Sequence, residues 1–153
     1  MKKGLIFLLV IVGLLFGCKW DQRGIPENNT GLIPDGARVI KDYDDPITMA
    51  WDYTPEEGVT EYSFEFLMCL AVDERVEANI TIVGTTTTPE YGPFTLQELS
   101  VSDVIVFGVR ATADGISSEA IWTDREEDTE GGTFYADTNG LWLYNTPGNI
   151  GIQ

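Results

Sequence analysis

From Pro46 to Asp124 apolar and polar residues alternate with a period of two, in short runs broken by turn signals. "PITMAWDY" sets Ile47, Met49, Trp51 and Tyr53 against Thr48, Ala50 and Asp52, the spacing that turns one face of a strand into a core. "TPEEGVT" follows as a Pro- and Gly-marked turn. "EYSFEFLMCLAV" places Tyr62, Phe64, Phe66, Met68 and Leu70 on one face. The other face starts polar with Ser63 and Glu65 and becomes apolar at Leu67 and Cys69. "ANITIVG" and "FTLQEL" predict two further short strands. "DVIVFGVRATA" aligns Ile105, Phe107, Val109 and Ala111, and "SSEAIWTD" closes the series. Short strands at regular spacing, with no helical stretch, predict an all-β antiparallel sandwich over residues 38–124. Burying Trp51, Tyr62, Phe64, Phe66, Phe107 and Val109 between two sheets would contribute roughly 1.5–3 kcal/mol for each side chain.

The flanks read differently. Residues 18–37, ending in "GIPENNTGLIPDGA", are rich in Gly, Pro, Asn and Asp and predict a flexible tether. After the sandwich, "REEDTEGG" is an acidic linker, and "TFYADTNGLWLY" alternates around a turn near Asn139-Gly140, the pattern of a β-hairpin. A lone hairpin is marginal in water, so residues 125–153 are expected as an extension that packs on the sandwich or waits for a partner. The tail "TPGNIGIQ" is extended and apolar enough to act as an added strand.

At the start, Met1-Lys2-Lys3 precedes "GLIFLLVIVGLLFG", Gly4 to Gly17, which carries no charge. That is short of the roughly 20 apolar residues a spanning helix needs, and its length and flanks predict an export signal helix over 1–17. Gly17 immediately precedes Cys18, with Leu15 further back. This stretch resembles the lipobox of bacterial lipoproteins, although Phe16 stands where a small or β-branched residue is usual. The resemblance implies cleavage before Cys18 and lipid attachment to Cys18, whose several acyl chains would hold the protein to a membrane as one chain cannot. With Lys19 rather than Asp after the cysteine, it further implies the outer membrane of a bacterial envelope rather than the inner one. The residues alone leave Cys18 two other roles, a disulfide with Cys69 or a plain buried thiol. If Cys18 is acylated, Cys69 has no partner within the chain and serves as a small hydrophobe.

A second resemblance runs through the sandwich. Trp51, Tyr62 eleven residues on, Leu96 and Leu99, and then Val109, Ala111, Gly115, Ser117 and Ser118 in "VIVFGVRATADGISSEA" resemble a fibronectin type III domain. The family implies a β-sandwich that makes protein or carbohydrate contacts through its surface and loops. Ile105 departs from the pattern, because the family usually has there a tyrosine whose hydroxyl bonds back to the preceding turn. Its loss is typically worth about 1 kcal/mol. Val101-Ser102 replaces the usual Pro-Gly of that turn.

Charge narrows the function. Of 153 residues 25 are acidic, 9 basic and none histidine. Cleavage after Gly17 would remove Lys2 and Lys3 and leave seven basic against 25 acidic side chains, a net charge of −18. Nucleic acid and a basic surface lying on anionic lipid are both disfavoured. Without histidine neither a Ser–His nor a Cys–His pair can form. A glycosidase-type pair of carboxylates stays open in so acidic a chain, but a small sandwich with short loops offers it no obvious cleft, so no enzyme, no catalytic residue and no cofactor are expected. The acidic runs Asp42-Asp44-Asp45 and Glu126-Glu127-Asp128, and Asp137 with Asn139, are either solvated loops or calcium ligands, and none completes a calcium-loop motif. Trp122, Trp142 and Tyr144 are the candidate ligand-contact residues: facing outward they make a sugar-stacking or docking patch, facing inward they close an end of the sandwich. The expectation is a lipid-anchored binding or spacer module. Its partners would be the membrane through Cys18 and an envelope protein or glycan. The alternatives are a structural subunit that lends its C-terminal strand, and a carbohydrate-binding accessory protein.

Overall fold

The computed structural model describes residues 31–129 and 131–145. The signal helix, Cys18, residues 18–30 of the tether and the tail 146–153 lie outside the described residues. The described chain is almost entirely strand: β1 (Arg38–Lys41), β2 (Ile47–Ala50), β3 (Tyr62–Leu70), β4 (Thr81–Thr86), β5 (Glu90–Phe94), β6 (Ile105–Ala113), β7 (Ile116–Ser117), β8 (Ile121–Trp122), β9 (Thr133–Asp137) and β10 (Gly140–Tyr144). These form an antiparallel β-sandwich of unequal layers. One sheet runs β1-β10-β9-β6-β3-β4, with the short β7 and β8 also on β6, and the second layer is the pair β2-β5.

The alternation in the sequence sets what lies between the layers. Ile47 and Met49 from the small sheet, with Trp51 just after β2, meet Phe64, Phe66, Ile105, Phe107, Val109 and Ala111 from the large one. Trp51 packs edge-on against Phe64 at 5.3 Å, and Phe66 stacks on Phe107 at 5.3 Å, geometries that add to the area term. Tyr62 departs from expectation. It pairs with Ala113 at the end of the sheet, beyond the cover of the small layer, and stays 38% exposed.

The large sheet is buried on its outer face as well. Leu67, Cys69, Val104, Val106, Trp122, Tyr135 and Trp142 form a second core there, closed by Ile33 and Ala37. Residues 31–37 are therefore part of the domain rather than of a tether. A turn in which the Ala37 amide donates to the Pro34 carbonyl, with Gly36 at φ +91°, folds them onto the sheet.

The sheet also continues past Asp124. β6 is too long for one short partner, and its free side is covered in three pieces by β7, β8 and β9. At the first break the Ser118 hydroxyl accepts from the Ala111 amide at 3.1 Å. At the second, buried Thr123 joins β6 to β9 with four hydrogen bonds. Its amide donates to the Phe107 carbonyl (2.9 Å), and its carbonyl accepts from the Phe134 amide (2.7 Å). Its hydroxyl accepts from the Phe107 amide (3.0 Å) and donates to the Phe134 carbonyl (3.0 Å). The hairpin β9-β10 is thus inside the sheet, and β1 pairs with β10 at its far side. Gly140 permits this, since a Cβ there would strike the Lys41 carbonyl of β1.

"FTLQEL" is a correction. Only Phe94 is strand, and Thr95 begins a single helical turn. The Thr95 amide donates to Glu98 Oε2 (2.8 Å) and the Glu98 amide to the Thr95 hydroxyl (3.1 Å), the reciprocal bonds of a Thr-x-x-Glu capping box. The turn closes with Ser100 at φ +56° and the Val101 amide donating to the Leu96 carbonyl, as in a Schellman cap. The turn before β6 is held from outside by the Tyr43 hydroxyl, which donates to the Val101 carbonyl at 2.8 Å.

Thr123→Val keeps volume and shape while removing the hydroxyl from two buried backbone groups. We expect a loss of roughly 2–4 kcal/mol in urea unfolding, more than an average point mutation costs.

Candidate functional site

An open groove of about 500 Å³ lies at the end of the sandwich where β3 begins and β6 ends. Thr60 and Glu61 of the β2-β3 loop, Tyr62 and Ser63 of β3, Thr87 of the β4-β5 turn, Thr112 of β6 and the turn residues Asp114 and Gly115 line it. Asp114 and Gly115 have φ +48° and +82° and connect the paired residues Ala113 and Ile116, a two-residue hairpin turn with both central residues left-handed. Asp114 also ties two loops together. Its Oδ1 accepts from the Glu61 amide (3.1 Å) and from the amide and hydroxyl of Thr60 (3.4 and 3.3 Å), while its own amide donates to the Glu61 carbonyl (2.9 Å). The groove wall is therefore built before any ligand arrives.

The lining is one aromatic, two carboxylates and four side-chain hydroxyls besides the phenol, with no basic side chain. Tyr62 leans on Tyr53 at 5.0 Å and on Phe64 at 5.8 Å, which holds its ring while leaving part of it open. The Tyr53 phenol is pushed above its ordinary value, by burial first and then by Tyr62, Glu56 and Asp114. Negative potential thus reaches this end of the molecule. The chemistry offered is recognition by acceptors and an aromatic face.

The residues named from the sequence as ligand contacts lie elsewhere. Trp142 is 1% exposed and Trp122 2%, both in the second core, with Tyr144 half-buried against them. They come together, but as packing rather than as an open patch. In "LWLY" Leu141 and Leu143 face the first core and Trp142 and Tyr144 the second, because β10 lies in a sheet covered on both sides. The Trp142 indole N–H donates to Asp137 Oδ1 at 2.7 Å. Trp122 sits under the Arg75 guanidinium, 5.2 Å from its ring centre, and above Gly108, where a Cβ would come within 2.7 Å of the indole. Arg75 is fixed in turn by Asp124 (2.8 Å) and by the Leu70 carbonyl (3.0 Å).

The acidic runs are tied into local structure. Asp137 accepts from the Asn139 amide (2.8 Å) and from the Asn139 side chain (3.1 Å), and Asp45 accepts from the Asp42 amide (2.9 Å). Among the described residues no group of three or more carboxylate or thiol side chains is gathered for a metal. Cys69 is buried in the second core and has no disulfide partner among the described residues. The groove carries little signal in the alternation of the chain. Its legible sign is Asp114-Gly115, the dipeptide that favours a left-handed hairpin turn. Comparisons with protein-family models, with curated proteins and with solved structures return no match to this chain.

Two outcomes follow for these aromatic surroundings. Trp142→Ala should cost roughly 3–5 kcal/mol and unfold the domain by circular dichroism, rather than remove a ligand contact from a folded protein. Asp128 accepts from the Trp122 amide at 2.9 Å, yet burial holds its carboxyl above the ordinary 3.8. The folded state therefore keeps this proton longer than the unfolded state. The stability it contributes is full below pH 3.8 and is lost as pH rises through the folded value. Asp128→Asn retains an acceptor for the amide, so its melting temperature should gain on wild type as pH climbs above 3.8, whereas exposed Glu119→Gln, which is not among the groups acting on Asp128, should not.

Proposed function

We propose that this chain is a lipid-anchored, non-catalytic binding or spacer module of the bacterial cell envelope, carrying a fibronectin type III-like sandwich. The observation that carries the reading is the succession Lys2-Lys3, the uncharged Gly4–Gly17 and Cys18, placed ahead of an all-β domain. Residues 18–30 span at most roughly 45 Å fully extended, so acyl chains on Cys18 would hold the sandwich close to its membrane. Support for the finer likeness comes from Trp51 packed on Phe64 between the layers and from buried Leu96 ahead of β6. Ser118 bonded to the strand before it and the Tyr43 hydroxyl on the turn before β6 add to this.

Of the alternatives, sugar stacking on Trp122 and Trp142 is set aside, because both are buried in the second core. Strand lending is restricted to residues 146–153, since β9 and β10 are needed by the sheet itself. Binding falls to the groove around Tyr62.

The test is the intact mass of the mature protein extracted with detergent from a bacterial host, with its N-terminal peptide fragmented. We expect a diacyl or triacyl mass on an N-terminal Cys18. An unmodified N-terminus at any other residue overturns the anchor.

A further inference from the structure

We propose that the groove takes an arginine side chain presented by an extended basic segment of a partner protein, with an apolar neighbour of that arginine covering Ile116. The inference rests on the reading of this chain as a binding module but not on its lipid.

Four observations meet at the site. Neither the Glu61 carboxylate nor Oδ2 of Asp114 accepts a hydrogen bond among the described residues, while Oδ1 of Asp114 is fully occupied in holding the loops. Two acceptor groups therefore face an open space lined by no cation. The 38% exposed ring of Tyr62 lies between them in the chain and offers a face on which a guanidinium can stack. Ile116, two residues beyond Asp114, is 77% exposed, the most exposed large apolar side chain of the described residues. The last observation comes from the same sheet. Two residues along from Ser63 and Thr112, Arg110 already sits against two carboxylates: its Nε and Nη2 meet Glu65 Oε2 at 2.7 and 2.6 Å, and Nη1 reaches Glu77. The groove continues that strip of the surface with carboxylates and hydroxyls but without the arginine.

Arginine fits better than lysine because a planar fork can meet a carboxylate and stack on a phenol ring at once, which a point ammonium cannot. The net charge of −16 draws cationic segments toward the protein from any direction. What the groove adds is a fixed place for one of them.

The test is an NMR titration of the 15N-labelled mature chain in neutral detergent micelles with acetyl-Gly-Arg-Ile-Arg-Gly-amide. The expected result is amide shifts confined to residues 60–63, 87 and 112–116, binding at least tenfold tighter than that of the Gln-for-Arg peptide, and weakening with salt as exposed charge pairs do, at a screening length of about 10 Å in 0.1 M salt. Glu61→Lys should lower affinity by roughly tenfold, two unfavourable changes at one exposed contact, whereas Glu127→Lys, with the same change in net charge, should stay within about twofold. Ile116→Ser should weaken binding without moving the melting temperature. Equal effects of Glu61→Lys and Glu127→Lys, or shifts spread over the acidic surface, would overturn the site in favour of diffuse attraction. Equal binding of the Gln peptide, or the same shifts with a neutral oligosaccharide such as maltotriose, would overturn the arginine. The mass of Cys18 read on the same sample reports the anchor separately, so either idea can fail alone.

Discussion

The hydrogen bonds around Thr123 decide the architecture. β6 presents nine residues of edge, and the chain that returns alongside it leaves after Trp122. Stopping there would strand the backbone groups of Phe107 in a dry interior, where each unpaired group costs on the order of 1–3 kcal/mol. A threonine solves this because it has a hydroxyl that can accept and donate at once. The Phe107 amide gives to it, it gives to the Phe134 carbonyl, and the sheet passes from β8 to β9 without an unpaired step. Once β9 is fixed there, β10 follows by the hairpin and β1 joins β10. With β1 drawn to the large sheet, the second layer is left with two strands.

That unequal layering explains the second core. The two-strand layer covers only one face of the six-strand path, and the opposite face carries Leu67, Cys69, Val106, Trp122, Tyr135 and Trp142, which need a cover of their own. Residues 31–37 close part of it through Ile33 and Ala37. Arg75 closes another part, its guanidinium laid over Trp122 while Asp124 balances the charge. An arginine can do this because its head is weakly hydrated and flat, so it covers an indole at small desolvation cost. The absence of a side chain at Gly108 is part of the same arrangement, since it lets the indole lie directly on β6.

How much of this could be read from the sequence follows from what alternation encodes. It names the two faces of a strand, and it named them correctly for Ile47, Met49, Phe64, Phe66, Phe107 and Val109, and for the apolar outer face at Leu67 and Cys69. It does not name a strand's neighbours. β9 and β10 read as a hairpin, yet their place in the middle of the sheet depends on the pairing of Ile105 with Ala136, thirty-one residues apart. For the same reason "LWLY" could not say which of its faces was buried, since both are. Local chemistry was available and was outweighed by pattern at two places. Thr95 and Glu98 spell a capped helical turn inside an apolar alternation, and Asp114-Gly115 spells the turn that builds the groove wall. Tyr62 was placed inside by its period, although the end of a strand is where the period ceases to guarantee cover.

The charge distribution gives the groove its context. The described residues hold five basic side chains, Arg75 and Arg110 among them bonded to carboxylates of this same chain, against a much larger number of acidic ones. The remaining surface is therefore dominated by carboxylates, whose mutual repulsion is relieved by salt and by cationic partners alike. Such a field cannot choose among cations, because it falls off smoothly over the whole molecule. Selection needs a place where charge, an exposed ring and an apolar side chain are held at fixed separations by bonds that do not involve the ligand. Asp114 meets part of that need: Oδ1 is spent on the loop framework, so the carboxylate that lines the groove is held by folding rather than by binding. An acidic surface of this kind attracts cations at long range without choosing among them, and the proposed seat at Asp114-Gly115 differs from the rest of that surface in being tied by hydrogen bonds to the β2-β3 loop.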